Sequence, residues 1–170
     1  MNTTWMRSAV AIGVAVALTG CDFLVPISHE PAGRLDESLV GLWRRTDPSG
    51  PTEDLLVLKW DEGHWLVSLP AGRQDALYAR GWPVRVADRT LVQLEWIGSG
   101  KGAVVQDARR YQLATWSRDG DRLIIRRINP EVVGRDWCES QRLREAIEKT
   151  LNQPDVFIDE RVFHRVPQEP

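Results

Sequence analysis

Short apolar sets that alternate with polar residues, and return between turn signals, constrain this 170-residue chain more than any other feature. Leu56, Leu58 and Trp60 alternate, as do Trp65, Val67 and Leu69; so do Trp82, Val84 and Val86, then Val92, Leu94 and Trp96, and Tyr111, Leu113 and Thr115. A period of two puts each set on one face of a strand. Asp61-Glu62-Gly63 separates the first two sets as a hairpin loop, and Asp119-Gly120 leads into Leu123-Ile124-Ile125 as a second turn. Many short strands joined by such turns predict a mainly β protein, an antiparallel barrel or sandwich. Arg161 to Val166 reads as the closing strand, and residues 36–167 as one domain with a short tail over 168–170.

One helix interrupts the alternation. Leu143, Ala146, Ile147 and Leu151 share a face, with Glu145 and Lys149 paired outside it. Asp136 and Glu139 read as a capping box, and Asn152 and Pro154 as the stop. This C-terminal-half helix, before the last strand, is expected to plug or cover one end of the barrel.

The first twenty residues differ from everything after them. Arg7 is their only charged side chain, and an apolar run covers Ala9 to Leu18. Ten residues rise about 15 Å as a helix, half of a hydrocarbon core of about 30 Å, so the run is a secretory signal rather than a span. It ends in Leu18-Thr19-Gly20-Cys21, which resembles the lipobox of bacterial lipoproteins. The resemblance implies cleavage between Gly20 and Cys21, a diacylglyceryl thioether on Cys21, and a new N-terminus open to acylation, with palmitate among the chains it takes. Two or three such chains anchor a protein stably where one is marginal. The expected localisation is the bacterial cell envelope, facing the periplasm; Asp22 resembles an inner-membrane retention signal, and the outer membrane stays open. Residues 21–35 then read as a lipidated cysteine and flexible tether, with two Pro and no clear period over Asp22 to Leu35.

Gly41-Leu42-Trp43 resembles the G-x-W signature of the lipocalin superfamily, and Arg165 the arginine that packs across its tryptophan. The resemblance implies a lipocalin-like barrel joined by a cation–π contact of about 0.5–2 kcal/mol between the first and last strands. Tyr111-Gln-Leu-Ala, Asp119-Gly-Asp-Arg-Leu-Ile-Ile, Asp155-Val-Phe157 and Val162-Phe163-His164-Arg165 also resemble a group of small bacterial lipoproteins of this type. That group carries no activity across.

Chemistry is sparse. With 22 Lys+Arg against 24 Asp+Glu the chain lacks the basic excess that nucleic acid needs. His29, His64 and His164 are scattered, so no metal site and no cofactor is expected. Cys138 is left a lone thiol, read as a small residue buried under the helix, with a catalytic dyad to His64 or His164 as the weaker reading. Gly98-Ser-Gly-Lys-Gly102 reads as a hairpin loop, not a phosphate cradle. The pairs Arg44-Arg45, Arg109-Arg110 and Arg126-Arg127 each send one side chain inward, where a cavity for an anion is conceivable.

Tryptophan is the remaining excess, eight against three Phe and two Tyr. Trp60, Trp65, Trp82 and Trp96 fall on apolar phases and are candidate ligand-lining residues; Trp116 is out of phase with Leu113 and reads as exposed. The expectation is a non-enzymatic, membrane-anchored envelope module. A hollow barrel would indicate binding of a small hydrophobic ligand. A filled one would indicate a protein-interaction module such as an inhibitor, chaperone or complex subunit, and a polar cleft at Cys138 an enzyme.

Overall fold

The computed structural model describes residues 22–46, 50–103 and 109–167; the signal segment, Cys21 and the 168–170 tail lie outside them. A 3-10 turn at Glu37–Leu39 leads into β1 (Gly41–Arg45), β2 (Glu53–Lys59), β3 (Trp65–Leu69), β4 (Leu77–Val86) and β5 (Arg89–Ser99). Then follow β6 (Gly102–Ala103), β7 (Tyr111–Asp119), β8 (Arg122–Ile128), the helices α1 (Pro130–Val133) and α2 (Ser140–Thr150), and β9 (Phe157–Arg165). All pairings between these strands are antiparallel. Because β4 pairs β5 and β1 pairs β9, eight strands close into a barrel, with β6 outside the ring.

Strand direction gives the barrel two ends. At one lie the 3-10 turn and the β2–β3, β4–β5 and β7–β8 hairpins. The β2–β3 loop is held as expected, with the Asp61 carboxylate accepting from the Gly63 N–H at 2.8 Å. The other end gathers the end of β8 and the starts of β7 and β9, and β4 begins and β5 ends there.

The wall formed by β4, β5 and β7 is buried on both faces, and this changes several expectations. Trp82, Val84, Val86, Leu91, Tyr111 and Leu113 face outward into one apolar core. Trp43, Leu55, Trp65, Val67, Val92 and Trp96 face inward into another. The α2 helix packs Leu143 and Ile147 on the outer core, so it covers the side wall instead of plugging an end. Each such fully buried side chain contributes about 1.5–3 kcal/mol. Glu139, not Asp136, caps α2, without a side-chain bond: the helix starts at Ser140, and Asp136, three residues before the cap, pairs with Arg109. Glu145 pairs with Arg142 at 3.5 Å rather than with Lys149.

Nor is the segment after Cys21 a tether. It runs along the outer face, with Phe23 paired to Tyr111 and both Phe23 and Ile27 buried. Gln93, wholly buried on β5, accepts from the Ile27 N–H at 2.6 Å and donates to the Ser28 carbonyl at 2.9 Å. Trp82 donates to the same carbonyl at 3.2 Å. Backbone groups of this strap are thus satisfied by the sheet they cover.

Candidate functional site: the barrel interior

The inward face of the barrel encloses a cavity of about 340 Å³, within the range of roughly 300–1,000 Å³ of small-molecule sites. Leu39 and Phe163 close its inner end, and Val57, Trp65, Val92 and Trp96 belong to its wall. Trp116 stands edge-on to Trp65, with ring centroids 5.2 Å apart at 84°. It points opposite to Leu113, as the alternation predicts, but the faces are the reverse of those expected: Leu113 faces the outer core and Trp116 the cavity. The Trp65 indole N–H, deep in the protein, has no acceptor among the described residues.

Of the four tryptophans expected to line a site, only Trp65 and Trp96 do. Trp82 lies on the outer face of the same wall. Trp60 is 53% exposed beyond the end of β2. The run Asp-Leu-Leu-Val-Leu-Lys-Trp fits either phase, and pairing decides between them. Directly paired residues share a face, so inward Trp43 brings in Leu55, and Val67 brings in Val57. That leaves Leu58 and Trp60 outside.

The closed end holds the residues of the G-x-W resemblance. Arg165 lies over the Trp43 ring, 5.1 Å from guanidinium carbon to centroid. It also donates to the carbonyls of Ser38 at 3.0 Å and Val40 at 2.8 Å. Trp43 in turn donates to the Leu39 carbonyl at 2.8 Å, fixing the turn that floors the cavity. Gly41 has φ +143°, and a Cβ there would meet Arg165 Nη2 at 3.0 Å.

Polar groups collect at the open end. Gln112, Arg127, Asp159 and Arg161 line the mouth. Arg127 bridges two carboxylates, Asp22 at 2.7 Å and Asp159 at 2.5 Å. Asp159 is a non-glycine residue at φ +55°, where the β8–β9 register shifts; this bulge lets Asp159 meet Arg127. Asp22 is 3% exposed and also accepts from Gln112 at 3.3 Å. Burial pushes its carboxyl above the usual carboxylate range, against the pull of Arg127. Arg161 is held by Glu53 at 3.2 Å. Within the three expected arginine pairs, only Arg127 lines the cavity. Arg44 forks outward onto Asp54 and Arg126 onto Glu160.

Cys138 is exposed, not buried under α2, because it precedes the helix and its thiol turns to the Asp136 carbonyl at 3.6 Å. Neither His64, which faces Asp61 at 2.9 Å, nor His164 is bonded to it. Among the described residues no cluster of His, Cys, Asp or Glu could hold a metal ion, and no helix is long and apolar enough to cross a membrane. No model of a known protein family matches the chain, and no curated protein matches it in sequence.

Proposed function

We propose that this chain is a lipid-anchored envelope lipoprotein whose barrel binds a small hydrophobic ligand without transforming it. The hollow, apolar interior carries the reading. A protein-interaction module is expected to fill its barrel, whereas here three indoles and several aliphatic residues border open space. A ligand with an apolar body matches that lining.

The anchor rests on Leu18-Thr19-Gly20-Cys21 and on the apolar run before it. Asp22, a retention signal by position, is also a buried partner of Arg127 and so has a structural reason to be acidic. The test of binding is titration of the folded chain with N-phenyl-1-naphthylamine, an apolar dye that brightens on leaving water. We expect saturable brightening with transfer from indole to dye, abolished by Ala114→Phe, which fills the cavity from its wall. Brightening that survives Ala114→Phe places the dye elsewhere and overturns the reading.

A further inference from the structure

The first described residues, Asp22 and Phe23, are held at the mouth of the cavity. Asp22 is fixed by Arg127 and Gln112, both of which line the mouth. Its backbone N–H and that of Phe23 both donate to the Tyr111 carbonyl at 3.0 Å, and Phe23 accepts back from Tyr111 at 3.2 Å. Phe23 is then locked in the outer core. Cys21 is the next residue, and consecutive α-carbons are about 3.8 Å apart. A lipid on Cys21 therefore starts at the rim, not at the end of a tether.

The rim around that anchoring point is itself partly apolar. Of the large apolar side chains more than a third exposed among the described residues, Leu24, Tyr78 and Ile97 lie at the open end and Leu58 and Trp60 beside the distal β2–β3 hairpin. It is thus the anchoring point, not exposure, that selects the open end. Tyr78 sits near the start of β4 and Ile97 near the end of β5, both at the open end, and Leu24 follows the Phe23 bridge to the first residue of β7. Exposed apolar and aromatic side chains around an anchoring point favour the headgroup–acyl boundary of a bilayer. The arginines lining the mouth are matched by carboxylates, Arg127 by Asp22 and Asp159 and Arg161 by Glu53. Contact with the bilayer thus has no need of anionic headgroups.

We propose that Asp22 and Phe23 hold the lipid anchor against the rim, so that the open end of the barrel rests on the bilayer and the cavity faces its apolar ligands there. The proposal rests on the lipoprotein reading of Cys21. It makes the bilayer surface the docking partner of Leu24, Tyr78 and Ile97, and places the β2–β3 hairpin on the side away from the membrane.

The test uses the full lipidated chain in the Cys138→Ser background. An environment-sensitive nitrobenzoxadiazole label is placed at the rim (Ile97→Cys) or on the distal hairpin (Glu62→Cys). Vesicles are phosphatidylethanolamine and phosphatidylglycerol, with or without acyl-brominated phosphatidylcholine, which quenches on contact. The rim label should be quenched several times more than the hairpin label, with little dependence on salt or on the phosphatidylglycerol fraction. Inserting fourteen Gly/Ser residues between Cys21 and Asp22 leaves the fold intact and frees the barrel by about 20 Å root-mean-square. It should bring the rim signal down to the hairpin's. Equal quenching at both labels, or a rim signal untouched by the insertion, overturns the proposal while the anchor stands. An unmodified Cys21 by mass spectrometry overturns the lipoprotein reading, and the proposal with it. Dye binding to the Cys21→Ser chain reports separately on the cavity.

Discussion

Gly41→Ala should destabilise the barrel in two ways, one of them through a side chain on the opposite edge of its seam. The new Cβ would lie 3.0 Å from Arg165 Nη2 and 3.4 Å from its guanidinium carbon. Arg165 has little room to yield, being tied to the Ser38 and Val40 carbonyls and stacked on Trp43. Two terms follow. Forcing alanine to φ +143° costs about 1–3 kcal/mol wherever Arg165 is. Crowding weakens a charged hydrogen bond of about 1.5–3 kcal/mol and a ring contact of about 0.5–2 kcal/mol, so a partial loss of about 1–2 kcal/mol is expected. In an Arg165→Ala background only the first term survives. The cycle of Gly41→Ala and Arg165→Ala, built on Cys21→Ser and followed by guanidinium unfolding, should therefore show a coupling of about 1–2 kcal/mol. In thermal melts Gly41→Ala should lower Tm by about 2–8 °C more with Arg165 present than without it. Costs that agree within about 0.5 kcal/mol in the two backgrounds would refute the argument, leaving backbone strain as the whole effect.

Three further outcomes are expected. Asp22 keeps its proton to a higher pH when folded than when unfolded, so above about pH 3.9 the folded state binds more protons and stability falls with rising pH through that window. Unfolding curves from pH 3.5 to 7 should show this slope in Cys21→Ser and lose it in Cys21→Ser/Asp22→Asn; an identical slope in both assigns it to other groups. Cys138 should react with a maleimide in the native chain without denaturant, and Cys138→Ser should change stability by less than about 0.5 kcal/mol; a thiol that reacts only after unfolding would contradict its exposure. Asn129→Ala removes the side chain that accepts from the Glu131 N–H and caps α1, which should cost about 0.5–2 kcal/mol in denaturant melts, and no loss would show that α1 is held by packing alone.

Strand existence was legible because alternation and turn residues are local properties. The Arg165–Trp43 contact was legible too, since G-x-W and the closing arginine each sit on one short strand. Which face a set occupies was not. In β4, β5 and β7 both faces are buried, so Trp82/Val84/Val86 and Val92/Leu94/Trp96 look alike in sequence and lie on opposite sides of one wall. Leu56/Leu58/Trp60 misled for a related reason: four apolar residues in a row offer two phases, and only the partner strand selects one. The strap was not legible because Phe23 and Ile27 are single apolar residues without a period, and the Ile27 N–H finds its acceptor in a glutamine side chain far along the chain. A buried glutamine in mid-strand is the one signal that something polar had to cross it. The hollow interior has no local signature, since an unfilled volume depends on what eight strands bring together.

The two cores also divide the work of the molecule. A barrel of this size that relied on its interior alone would have to pack it, and packing would exclude a ligand. Here the outer core holds Trp82, Leu91, Leu113, Ile128, Leu143 and Ile147 at 1% exposure or less, so cohesion does not require the inside to be filled. Phe23 and Ile27 belong to that outer core, which makes the strap a component of the fold and denies it the freedom of a linker. Freeing it would expose both side chains and strip Gln93 of its partners. The same packing that permits a hollow interior therefore also holds Asp22 at the mouth of the cavity.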